Sequence, residues 1–131
     1  IARRQRQMCI RDSIKGKQQL SGMLGEGTLI RIKDGTMILK PIFRDYLLKL
    51  AQENQIAYQY YISPGGTDGG EIHKANEGIP TAVIGVCARY IHSTDAVFDI
   101  RDYFAARHLL KESILHLTSE QIQQLQYGKE I

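Results

Sequence analysis

Four histidines, two cysteines and a glycine-dense stretch are the residues of this chain whose types and spacing could do chemistry. A neutral imidazole is a good ligand for zinc, cobalt or a similar divalent ion, but a metal site needs three or four donors. His92 is the foremost candidate. It closely follows the apolar run of residues 81–87, and open α/β sheets present ligands at strand carboxyl ends. A hydrogen-bonded loop histidine is an equal reading of the residue itself, and one histidine requires further ligands from elsewhere. His73, beside Lys74, is read as solvated or capping. His108 and His116 lie off the apolar stripe of their helix, on opposite flanks of its outer face, and are expected at the surface with no acidic partner at metal-ligand spacing.

The run Gly65-Gly66-Thr67-Asp68-Gly69-Gly70 has two readings: an anion cradle at the following helix terminus, or a plain structural turn. Cys87 sits in an apolar run and is expected as a small buried hydrophobe. With Cys9 far away and no CxxC pair, neither a disulfide framework nor a thiolate zinc site is supported, and a reducing cytoplasm fits best. The sequence has no GxSxG elbow, HExxH, Walker loop or GxGxxG after a strand.

The elements that must position these residues alternate between strand and helix. Residues 28–33 alternate and are β-rich, Asp34-Gly35 signals a hairpin, and residues 36–39 resume strand character. Pro41 opens a helix on which Phe43, Tyr46, Leu47, Leu50 and Ala51 recur at helical spacing, and residues 56–62 form a tyrosine-rich strand. Asp68 with Glu71 predicts a capping box on a short helix closed by Gly78. The continuous apolar run 81–87 predicts the centre of the sheet, covered on both faces. Asp99 caps a long helix with Ile100, Tyr103, Ala106, Leu110, Ile114 and Leu117 as its stripe, and Thr118 with Gln121 opens a last, more polar one. The fold class expected is α/β: a layered sheet with flanking helices.

The 131 residues, 43% of them hydrophobic and 24% charged, make one domain's worth of chain with a real core. No apolar run is long enough to span a membrane. The formal charge of +3 resides in residues 1–13, where four arginines face only Asp12, so no nucleic-acid partner is read from it. Residues 6–13 look like translated sequencing adapter. Residues 1–13 are therefore expected to be a non-native, disordered leader, with 14–131 as the meaningful portion.

Several segments resemble the carboxyl-terminal part of glutamyl aminopeptidases, dinuclear metallo-aminopeptidases that assemble as tetrahedral shells. They are Gly25-Glu26-Gly27-Thr28-Leu29, Tyr58-Gln59-Tyr60-Tyr61, Gly65-Gly66-Thr67-Asp68, Gly78-Ile79-Pro80-Thr81 and, most specifically, residues 84–93, IGVCARYIHS. The resemblance implies the carboxyl-terminal part of a zinc-peptidase-like catalytic domain and a cytoplasmic exopeptidase releasing amino-terminal Glu or Asp from peptides. It implies two divalent ions, zinc or cobalt, with His92 as the last metal ligand, and a homo-oligomer when full length. A bridging water attacks the scissile carbonyl in such enzymes, and a glutamate acts as general base. The other ligands and that base have no match here, so a truncated fragment, inactive alone, is expected. Gly66, Thr67, Asp68 and Arg89 are expected on the substrate side. An inward-facing Glu71 would disfavour an acidic substrate, and Arg31, Lys74 and Arg89 are open candidates to read one. A non-catalytic assembly or peptide-binding module is the alternative.

Overall fold

The computed structural model describes residues 22–128 of the chain. The leader expected over residues 1–13 lies outside the described residues.

The sheet is built on β1 (Thr28–Lys33), whose first three residues, Thr28, Leu29 and Ile30, are buried. β2 (Tyr58–Ile62) pairs with it in parallel, and β3 (Ile84–Gly85) pairs with its other edge antiparallel, through Leu29 with Gly85 and Ile30 with Ile84. The strand order is therefore β2-β1-β3. A second ribbon of two strands, β4 (Ala88–Arg89) and β5 (Val97–Phe98), is antiparallel.

Helix α1 (Pro41–Glu53) starts as expected, with Pro41 at its first turn, where a missing N–H costs nothing. It buries Leu47, Leu50 and Ala51 against Ile30, Leu39 and Ile56. α2 (Asp68–Lys74) is short, and α3 (Ile100–Leu115) lies against α1 and the sheet, with Leu109 fully buried in the same core. The Tyr46 hydroxyl donates to the Ser113 carbonyl at 2.7 Å and joins the two helices. α4 (Ser119–Tyr127) opens at Thr118 and Gln121 as expected, and the two form a capping box, each bonding the other's backbone. No helix among the described residues is long and apolar enough to cross a membrane.

The α/β expectation holds, and three details are corrected. The centre of the described sheet is β1, whereas residues 81–87 contribute only the two-residue edge strand β3. Apolar continuity reports burial, and residues 81–86 are only half-buried, so it did not report position in the ladder. Second, residues 36–39 form a single bridge, Lys33 with Ile38, in place of a strand. Third, α3 is rotated: it buries Asp102 and Leu109, while Ile100, Tyr103, Leu110 and Ile114 are 45 to 64% exposed. Leu109 and Leu110 are about 100° apart on the helix. The face was chosen by the hydrogen bonds of Asp102, which hydrophobic periodicity does not register.

Candidate functional site

The site is organised by the direction of β3. Being antiparallel to β1, it carries the chain toward the amino end of β1, where a side chain on Gly22 would meet both Leu29 and the Cys87 sulfur. Cys87 is buried there, as expected. β4 follows, and His92 lies three residues beyond it in the turn to β5, with its side chain exposed. Tyr90 and His92 both hold left-handed backbone, at φ 59° and 60°. Such conformations are uncommon for non-glycine residues and persist only when the surroundings impose them. The Ser93 hydroxyl donates to the carbonyls of Tyr90 and Asp95 and closes the turn.

The same end of the sheet holds the first turn of α3. Asp99 is its N-cap, accepting the Arg101 amide at 2.9 Å, as the sequence led one to expect. The Arg101 guanidinium also donates to Asp99, and these bonds lower the Asp99 pKa to about 2. Asp102, fully buried, accepts the amide of Gly25 on one carboxylate oxygen and that of Gly27 on the other, each at 2.9 Å. The Gln59 side chain clamps the same strap, accepting the Met23 amide and donating to the Met23 and Gly27 carbonyls. The strap of residues 22–27 and the start of α3 thus meet at one end, and the β4–β5 ribbon that carries His92 runs into that helix start.

The opposite end holds a second polar cluster. Asp34, 3% exposed, accepts on one oxygen from the Thr36 amide and hydroxyl and the Met37 amide, and on the other from Arg31 and the Thr67 hydroxyl. Burial raises its pKa, and the hydrogen bonds from Thr36, Met37 and Thr67 outweigh this to hold it below the ordinary carboxylate value. The capping box expected of Asp68 and Glu71 is corrected here. Thr67 is the N-cap, Asp68 is already helical, and no side chain caps the helix because the Thr67 hydroxyl is given to Asp34.

The anticipated site residues therefore divide. Gly66, Thr67 and Asp68 follow β2 and lie beyond the carboxyl ends of the parallel pair β1 and β2. Arg89 and His92 lie beyond the carboxyl end of the antiparallel β3, at the other end of a strand some 20 Å long. Structure does not bring the two groups together. Glu71 is exposed, so no inward-facing acid opposes a substrate carboxylate. Of the three candidate cations, Arg31 is paired with Asp34 and stacked over Tyr61, and Lys74 is exposed. Arg89 is on the His92 ribbon, its guanidinium over Tyr90 and its buried Nε without a hydrogen-bond acceptor among the described residues.

The remaining histidines are peripheral. His73 is half-buried in the last turn of α2, which ends at Lys74 with Ala75 as its C-cap and not at Gly78 as expected; Gly78, at φ 94°, belongs to the turn that follows, and the His73 carbonyl accepts the Ile79 amide. His108 and His116 are exposed as expected. They do have an acidic neighbour, because Glu112 lies four residues from each, at 3.7 and 3.3 Å. The described residues contain no group of three His, Cys, Asp or Glu that could hold a metal ion. His92 fits a metal as one exposed imidazole, with the other donors supplied from outside the described residues. Sequence reasoning missed Asp34, Gln59 and Asp102. Asp34-Gly-Thr carried a turn signal, whereas nothing local announced the long-range partners of the other two.

Comparison with known proteins shows a family likeness. The family model for M42 glutamyl aminopeptidases matches residues 7–109, a stretch that begins within residues 1–13. The glutamyl aminopeptidase of Lactococcus lactis subsp. cremoris (strain MG1363) is 40% identical over 105 residues, which are 80% of this chain and 30% of that protein. The TET aminopeptidase from the archaeon Thaumarchaeota archaeon SCGC AB-539-E09 superposes with a TM-score of 0.81 at 30% identity, over 86% of this chain and 32% of its own. Aminopeptidase APDkam598 from Desulfurococcus kamchatkensis gives 0.80 at 33% identity, over 91% and 34%. The chain thus spans about a third of the length of these relatives, and across that third it belongs to the M42 glutamyl aminopeptidase family.

Proposed function

We propose that this chain is the part of a metal-dependent aminopeptidase that supplies the metal ligand His92 and the walls around it. The observation that carries this reading is the position of His92. It is exposed, held at positive φ on a closed turn, in the loop between β4 and β5, the strand that leads directly into α3. In the full-length enzyme His92 would hold one position on a pair of divalent ions, zinc or cobalt. Those ions, when bound, make a water acidic enough to attack a peptide carbonyl. Arg89, unpaired with any carboxylate among the described residues, is the cation proposed to receive an acidic amino-terminal side chain, which the likeness to a glutamyl aminopeptidase supports. A peptide substrate, a homo-oligomeric assembly and a cytoplasmic setting complete the proposal. The assembly is supported by the likeness to a TET aminopeptidase. Gly66, Thr67 and Asp68 lie at the far end of β1 and are left out of the substrate site.

The test uses the full-length enzyme, loaded with zinc or cobalt, against peptides beginning with Glu, Asp or Ala. Release of amino-terminal Glu that disappears in His92→Ala is the expected result, and unchanged turnover in that variant refutes the ligand assignment. Arg89→Gln is expected to reduce the preference for Glu over Ala by about tenfold, as loss of a charge-assisted hydrogen bond would.

A further inference from the structure

We propose that Asp102 is a positioning residue for His92, an inference that rests on reading His92 as a metal ligand. Asp102 lies in the first turn of α3, ten residues beyond His92 in the chain. Its carboxylate is fully buried, and both of its oxygens are occupied by backbone amides of the strap that leads into β1. A carboxylate clasping two amides across 75 and 77 residues of sequence locks the first turn of α3 onto the sheet.

That turn is directly continuous with the His92 ribbon. A single residue, Asp99, separates the end of β5 at Phe98 from the start of α3 at Ile100. β5 in turn pairs with β4, through Phe98 with Ala88 and Val97 with Arg89, and His92 is the third residue after Arg89. In this ribbon Val97 and Phe98 are about half exposed, while Ala88 and Arg89 are half-buried. The ribbon is tied to α3 through Asp99, and Asp102 pins the first turn of α3 to the strap. Asp99 and Arg101 stiffen the same turn from the solvent side. Metal-ligand distances tolerate only about 0.2 Å, so a small slip of this turn reaches the imidazole as lost metal affinity.

The experiment compares full-length wild-type enzyme with Asp102→Asn and His92→Ala. Zinc affinity is measured by chelator competition, the visible spectrum is recorded on the cobalt-loaded protein, and kcat and KM are measured separately. Asn leaves one amide of the strap facing an NH2 group. Asp102→Asn is expected to weaken zinc binding about tenfold, alter the cobalt spectrum, and lower kcat about tenfold with KM within about twofold, the size of effect seen when a ligand loses its support. Added zinc is expected to restore part of the activity. Loss of metal in His92→Ala, combined with unchanged zinc affinity and an unchanged cobalt spectrum in Asp102→Asn, overturns the positioning role and leaves His92 as a ligand. Full metal retention in His92→Ala overturns both. Should Asp102→Asn fail to fold, Asp102→Glu keeps the charge and displaces the strap by one methylene; the same spectral change is then expected, and a native spectrum refutes the proposal.

Discussion

Thr67 gives its hydroxyl to Asp34 at 3.2 Å instead of capping the helix that it precedes. The bond ties the loop after β2 to the turn after β1. Gly35 adds an amide bond to the Gly65 carbonyl, and a side chain on Gly66 would lie 2.7 Å from the Thr36 methyl carbon. The cluster is therefore a clasp across the carboxyl ends of the parallel strands, remote from the His92 turn.

A clasp predicts lost stability with unchanged chemistry. Asp34→Asn is expected to cost about 2 kcal/mol, because the carboxylate is buried and its hydrogen bonds are charge-assisted. Denaturant unfolding of the full-length enzyme measures the cost. Its kcat and KM for a Glu-peptide should match wild type, and a substantial rise in KM would return this end of the sheet to the substrate site.

Acid should loosen the start of α3 only at low pH. The Asp99 pKa is about 2 in the folded chain against an ordinary 3.8, because the Arg101 side chain and amide stabilise its charged form. A depressed pKa contributes stability that is fully present above 3.8 and is lost as the pH falls through about 2. An NMR titration of the Asp99 carboxyl should place its midpoint near 2, and Arg101→Ala should move that midpoint upward. A wild-type midpoint at 3.8 would contradict the geometry.

Gly27 is held at φ 103°, and a Cβ there would run into the Ala57 carbonyl. Gly27→Ala is expected to cost about 3 kcal/mol or more, since both strain and overlap oppose it. Gly85→Ala is the control, because a Cβ at Gly85 makes only ordinary contact with Leu29. Thermal unfolding of both variants should show a much larger loss for position 27.

With no group of three metal-binding side chains among the described residues, the 131-residue chain by itself is expected to bind zinc weakly and to release no amino-terminal Glu. Calorimetry and a peptidase assay on the isolated chain check this. Stoichiometric, tight binding would show that the chain carries a site of its own.

Most of the elements were legible locally. The start of α1 at Pro41, the Asp99 cap and the Thr118 and Gln121 pair are set by residues within one turn of one another, so short-range sequence suffices to read them. The stripe on α3 was misread because its orientation is decided by a polar residue. Asp102 faces inward to satisfy two amides 75 and 77 residues away, and the apolar side of the helix is left in solvent.

Sequence alone determined the α/β class, the resemblance to a peptidase family and His92 as the residue to watch, because each depends on residue types at fixed short spacings. Only the tertiary structure decided which candidates share a site. A strand has two ends, and whether its neighbour runs parallel or antiparallel determines which loops meet. The antiparallel pairing of β3 with β1 carries the chain after β3 toward the opposite end of β1 from the Gly66–Thr67–Asp68 loop, and the ribbon bearing His92 continues into the helix start that Asp102 joins to the strap.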